Sequence, residues 1–185
     1  MMLTTARRIR GFTLVELMIT VTIAVVLIMI AVPSFKTIIL SSKLTTTAND
    51  VVGAINLARA EAVKHNGNVQ FCSDSATSNT SSTLGTACGT EVGAVYFQTV
   101  TPTTKSATQI RSGTVGLTSS LQLSGNAVAL SFSGDSLGHK VGVAAPYSGT
   151  VMTICTASLT TDNMRVIGLT SGSILDVTNK TGTCP

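Results

Sequence analysis

Hydrophobic and polar positions divide this chain into three regimes. From Phe12 to Val32 a run of 21 residues is apolar apart from Glu16 and a few threonines, and Pro33 ends it. As a helix the run spans roughly 32 Å at about 1.5 Å per residue, enough to cross a bilayer. From Ser34 to about Asn66 the period changes. Phe35, Ile38, Ile39, Leu44, Ala48, Val51, Val52, Ile55, Ala58, Ala62 and Val63 recur at spacings of three and four, with Lys36, Lys43, Asn49, Asp50, Asn56, Arg59 and Lys64 between them. That spacing predicts an amphipathic helix with one face to bury. The Asn66-Gly67 pair stops it. The two regimes together predict one helix over 12–65, in which Pro33 removes a backbone donor and produces a kink or local loosening.

Beyond Gly67 the pattern shortens to β segments punctuated by turn residues. Strands are predicted at 68–72, 92–99, 109–111, 121–124, 127–133, 151–156, 164–170 and 173–177. Ser73 to Gly89 reads as a mobile polar loop of low complexity, and Thr101 to Ser106 as a second loop. The fold class is therefore α+β, a long N-terminal helix packed on an antiparallel β domain. The domains expected are a basic leader (1–11), a membrane-spanning helix (12–33), an amphipathic helix (34–66) and a β-rich head (67–185).

Charge sharpens this picture. The chain carries a net +4, but Arg7, Arg8 and Arg10 all precede the apolar run. They orient it, because arginines stay in the cytoplasm and the rest of the chain is carried across. From Gly67 onward five basic residues oppose five acidic ones, so the head is near neutral. Glu16 is the only charge between Phe12 and Val32. A charge at the centre of a membrane helix costs about 2.5–3.5 kcal/mol even on the lenient scale, so Glu16 calls for a cation. The run contains none. A cut after Gly11 would create one, the new α-amino group of Phe12, about one turn away on the same helix or on a neighbouring copy. A plain membrane anchor with an incidental Glu16 is the simpler alternative. A secretory signal fits worse, because its cut comes after a shorter apolar core.

The stretch Gly11-Phe12-Thr13-Leu14-Val15-Glu16-Leu17-Met18-Ile19, with its basic leader, resembles the class III signal of type IV pilins and pseudopilins. Leu57-Ala58-Arg59-Ala60-Glu61-Ala62-Val63-Lys64-His65-Asn66 resembles the helix end of one branch, the H-type pseudopilins of type II secretion and related minor pilins of type IV pili (the GspH/FimT/FimU group). The resemblance implies a pilin fold and cleavage by a prepilin peptidase between Gly11 and Phe12, with methylation of the new amine. It also implies an assembly role for Glu16. The expected function is structural. The chain is read as a minor pilin that primes a type IV pilus, with an H-type pseudopilin as the alternative and a DNA-binding minor pilin as the third reading. Its implied partners are other minor pilins and the major pilin, or pseudopilins, together with the inner-membrane assembly platform. Its implied place is the inner membrane, with the head in the periplasm and later at a filament tip.

Four cysteines, Cys72, Cys88, Cys155 and Cys184, all lie beyond the anchor, where an oxidising compartment is expected. Their spacing lacks the paired pattern of a zinc site. Three connectivities are possible; Cys72–Cys88 and Cys155–Cys184 are favoured, closing the polar loop and tying down the C-terminus.

Other chemistry is weakly signalled. Gly134-Asp135-Ser136-Leu137-Gly138 fits the G-x-S-x-G pattern of a hydrolase nucleophile, yet only His65 and His139 could serve as base. A turn between short strands is the better reading, and no enzyme activity is expected. Two histidines without a third ligand do not make a metal site, no glycine-rich phosphate loop is present, and no cofactor is expected. The resemblance places DNA binding in some relatives near a C-terminal Gly-Arg-x-Arg. Here Gly172-Ser173-Ile174-Leu175 carries neither arginine, which argues against nucleic acid as a partner.

Overall fold

The computed structural model describes residues 12–114, 117 and 120–185. Helix α1 runs from Leu14 to His65, through position 33. The chain falls into two units, Met1–Ile38 and Ile39–Pro185.

In the first unit α1 begins at a cap. The Thr13 hydroxyl accepts a hydrogen bond from the Glu16 backbone N–H at 3.2 Å, the forward half of a capping box. Thr20 and Thr22 donate back to the Leu17 and Met18 carbonyls at 2.9 and 2.6 Å, so both hydroxyls are satisfied inside the helix. The large apolar side chains from Phe12 to Val32 are exposed within the chain. A helix so long and apolar can cross a bilayer; in water, such a surface marks an interaction site.

The second unit takes its order from residues 39–65 of α1. Leu44, Ala48, Val51, Ile55, Ala58 and Ala62 are fully buried, at alternating steps of four and three. Phe35, Ile38, Ile39 and Val63, which the sequence spacing groups with that face, are exposed. Steps of three and four back from Leu44 reach 41 and 37, and forward from Ala62 reach 65, so these four lie off the stripe.

Two antiparallel sheets complete the core. One orders its strands β3-β2-β1-β5-β6 and the other β4-β7-β8-β9. These are β1 (Val69–Phe71), β2 (Val95–Val100), β3 (Lys105–Arg111), β4 (Gln122–Leu123), β5 (Leu130–Phe132), β6 (Gly138–Lys140), β7 (Gly149–Cys155), β8 (Met164–Thr170) and β9 (Ile174–Lys180). Phe71, Phe132, Leu130, Met152, Ile154, Ile167 and Leu169 meet the α1 stripe in one buried cluster. The α+β class and its helix-on-sheet packing are thus the observed architecture. β3 begins four residues before the predicted strand, because Lys105–Gln109 pair with β2 although most of their side chains stay exposed. β6 is a strand that periodicity does not predict, since Gly138-His139-Lys140 has no alternation to betray it.

The segment 73–89 departs most from expectation. It contains two short helices, α2 (Ala76–Asn79) and α3 (Thr83–Cys88), bridged to β1 by a Cys72–Cys88 disulfide. Asn79 is fully buried and organises them. Its amide nitrogen donates to the Ser73 and Gly89 carbonyls at 2.9 and 3.0 Å. Its amide oxygen accepts from the Ser73 N–H at 2.8 Å and from the Gln70 amide at 3.4 Å. Gly85 passes so close that an added Cβ would lie 1.9 Å from the Asn79 carbonyl oxygen. Removing the Asn79 amide strands buried donors and acceptors, at about 1–3 kcal/mol for each group left unmet. Asn79→Ala is expected to destabilise the head by about 2–4 kcal/mol, read as a lower urea midpoint for the full chain in detergent.

Candidate assembly site

Three arginines hold α1 to the sheets in the second unit. Arg59 donates to the Gly172 and Ser173 carbonyls at 3.2 and 2.9 Å, in the β8–β9 turn. Arg111, at the end of β3, pairs with the Asp50 carboxylate and donates to the Asp50 carbonyl at 2.9 Å. Arg165, on the core face of β8, is only 4 % exposed. Its guanidinium reaches the Ser41 and Thr45 hydroxyls of α1 at 3.2 and 3.4 Å, and the Asp162 and Met164 carbonyls at 2.8 and 3.1 Å. A buried charge is tolerated when its donors are met by well-placed acceptors. The signal for Arg165 lay in the sequence as a cation at an inward position of an otherwise apolar strand.

At the other end of α1, the predicted cut site itself, Gly11, lies outside the described residues. Phe12 is exposed, and Glu16 stands in the first turn of the helix. Among the described residues the Glu16 carboxylate has neither an ion pair nor a hydrogen bond; only its backbone N–H is engaged. The helix N-terminus itself favours an anion there. The site thus has two components: a long apolar surface, and one carboxylate at its start without a cationic partner among the described residues. Such a helix can pack against other apolar helices and accept one positive charge.

The four cysteines form two disulfides, Cys72–Cys88 and Cys155–Cys184. The second ties the last residues of the chain to β7, which lies in the same sheet as the β8–β9 hairpin gripped by Arg59.

The Gly134–Gly138 stretch forms the tight turn of the β5–β6 hairpin, where Leu130 pairs with Lys140 and Phe132 with Gly138. A hydrolase elbow instead joins a strand to a helix. The Asp135 carboxyl accepts hydrogen bonds from the Ser133 hydroxyl and the Leu137 N–H, and lies 3.4 Å from His139. These contacts, the Ser133 hydroxyl first, hold its pKa below the usual carboxylate value. Asp135 therefore serves its own turn, and no hydrogen bond joins Ser136 to His139 among the described residues. Ser136→Ala is expected to leave filament assembly unchanged and to remove no esterase activity, measured with a p-nitrophenyl ester.

Comparison with known families gives two matches. Residues 6–32 match the prokaryotic N-terminal methylation motif, which covers the basic leader, Gly11, Phe12, Glu16 and the apolar run. Residues 47–172 match the type II transport protein GspH, a span that takes in the buried stripe of α1 from Ala48 onward and the sheets up to the β8–β9 turn. No curated protein matches, and no solved structure does. The second match covers more than half of the chain and agrees with the helix-on-sheet architecture. The chain belongs to the GspH family of type II transport proteins, a pilin-like family of structural subunits.

Proposed function

We propose that this chain is a minor subunit of a membrane-anchored filament, processed by removal of residues 1–11. The carrying observation is α1, whose N-terminal part exposes a long apolar surface with one carboxylate at its start, Glu16, unpaired among the described residues. Before assembly, residues 12–32 hold the subunit in the inner membrane with the head in the periplasm. After assembly they pack among equivalent helices in the filament core. Glu16 neutralises the methylated amine of Phe12, its own or a neighbour's, and so sets axial register, the best-attested use of a buried polar pair. Pro33 is the point of local helix loosening. The chain carries out no catalysis in this reading.

Two filaments could house it. The Ser/Thr-rich, disulfide-bridged head favours the type IV pilus, but the match to a type II transport family shifts the preference to the secretion pseudopilus. The pilus stands as the second reading. In both, its partners are related subunits, the prepilin peptidase and the inner-membrane assembly platform. Nucleic acid is a poor fit: the head carries equal numbers of basic and acidic residues, and Arg59, beside Gly172 and Ser173, is engaged by their carbonyls.

A pull-down with the tagged full chain, solubilised from its own membranes, separates the two homes. Recovery of secretion pseudopilins by mass spectrometry supports the first, and recovery of pilus minor pilins the second. Recovery of neither contradicts the filament role.

A further inference from the structure

Two sheets expose four edges, and three of them are protected. β4 has only two residues. The outer side of β6 is bridged by Pro146, which pairs with His139. β3 sits beside an irregularity at Val95/Tyr96 and carries Lys105 and Arg111 at its ends. Of these devices β9 has only a terminal lysine, Lys180. Its seven residues pair with β8 without a shift, and among the described residues no strand pairs with its far side, which presents a straight row of N–H and C=O groups. Ile174 is 65 % exposed and Val177 39 %.

The two faces of β9 differ. Leu175, Val177 and Asn179 pair with Leu169, Ile167 and Arg165, the buried core face that meets α1. Asp176 and Lys180 stand on the other face, four residues apart, and neither makes an ion pair or hydrogen bond among the described residues. The Asp176 carboxylate rests over Gly168, which has no side chain to engage it.

We propose that β9 is completed by strand addition from an adjoining, different filament subunit. The occupant is an exposed edge strand, mostly uncharged, with a basic residue opposite Asp176 and an acidic one opposite Lys180. Backbone pairing supplies the attraction and the two charges set the register. A second β9 is a poor occupant. In-register parallel pairing would set Asp176 against Asp176 and Lys180 against Lys180, and like charges directly opposite are unfavourable. Antiparallel pairing would turn the two α1 helices in opposite directions, which a shared anchor forbids. This inference rests on the filament role proposed above.

The test places a photoreactive benzoylphenylalanine at Val177, and in a second variant at Thr178, in the full chain in its own cells. Val143, exposed in the loop after β6, is the comparison position. Sheared filaments are collected before and after irradiation, and cross-linked peptides are identified by mass spectrometry. The expected adduct joins β9 to a strand of one other subunit, is absent at Val143, and falls about two- to fivefold on Asp176→Lys. Adducts in a helix or loop, equal adducts at Val143, or no adduct from a chain present in filaments would overturn strand addition alone. Absence of the chain from filaments would overturn the filament role as well.

Discussion

Glu16→Ala is expected to leave leader removal intact while incorporation into filaments falls by about a hundredfold or more. Two contributions lead to this. A lone carboxylate in an apolar helix is costly, so its retention requires a compensating cation. Removing one partner of a buried pair leaves the other unpaired, at about 3–5 kcal/mol, which is a factor of roughly 150 or more. The orphan here would be the α-amine of Phe12. The cap between Thr13 and the Glu16 N–H uses the backbone and survives the substitution. Helix formation should therefore be unaffected, and circular dichroism of the purified variant would show unchanged helix content. Assembly is read by quantifying the chain in sheared filaments against total membrane protein. Wild-type incorporation of Glu16→Ala would mean that the carboxylate serves only the helix terminus.

The second large effect concerns the disulfides. They close loops with sequence separations of 16 and 29 residues. Loop-closure entropy gives about 3–4 kcal/mol of stabilisation for each. Together they amount to about 6–7 kcal/mol, comparable with the whole net stability of an ordinary domain, about 5–15 kcal/mol. Reduction by dithiothreitol is thus expected to lower Tm by about 12–25 °C. The double variant Cys155→Ser/Cys184→Ser should give roughly half of this and free the C-terminus for proteolysis. A shift below about 3 °C on full reduction would show that the core and the arginine contacts suffice without the bridges.

What the sequence made legible was what is written locally. The apolar run, the basic leader and the Gly-Phe-x-x-x-Glu order sit in one contiguous stretch. The stripe from Leu44 to Ala62 shows a clean helical period, and β8 matches its predicted bounds residue for residue because its apolar run has clear turn residues on each side. What was hidden depends on partners far away in sequence. Asn79 looks like any loop asparagine until Gln70, Ser73 and Gly89 converge on it. Nothing in the order of residues tells that Arg59 will meet Gly172, or Arg165 Ser41. Cysteine spacing leaves three pairings open, and the fold brings together only one set. The exposure of Phe35, Ile38 and Ile39 shows the limit of loose periodicity: they recur at helical intervals, yet stand nine, six and five residues before Leu44 and so off the buried stripe.

The proposed filament role requires that Phe12 become the first residue and that its amine face Glu16. The most direct test is the intact mass and N-terminal sequence of the chain isolated from its own membranes. A chain beginning at N-methylated Phe12 is expected, and an uncleaved precursor when Gly11 is replaced by a large residue. A chain that keeps Met1, or that is cut after the apolar run instead of before it, would rule out this processing and the filament role built on it.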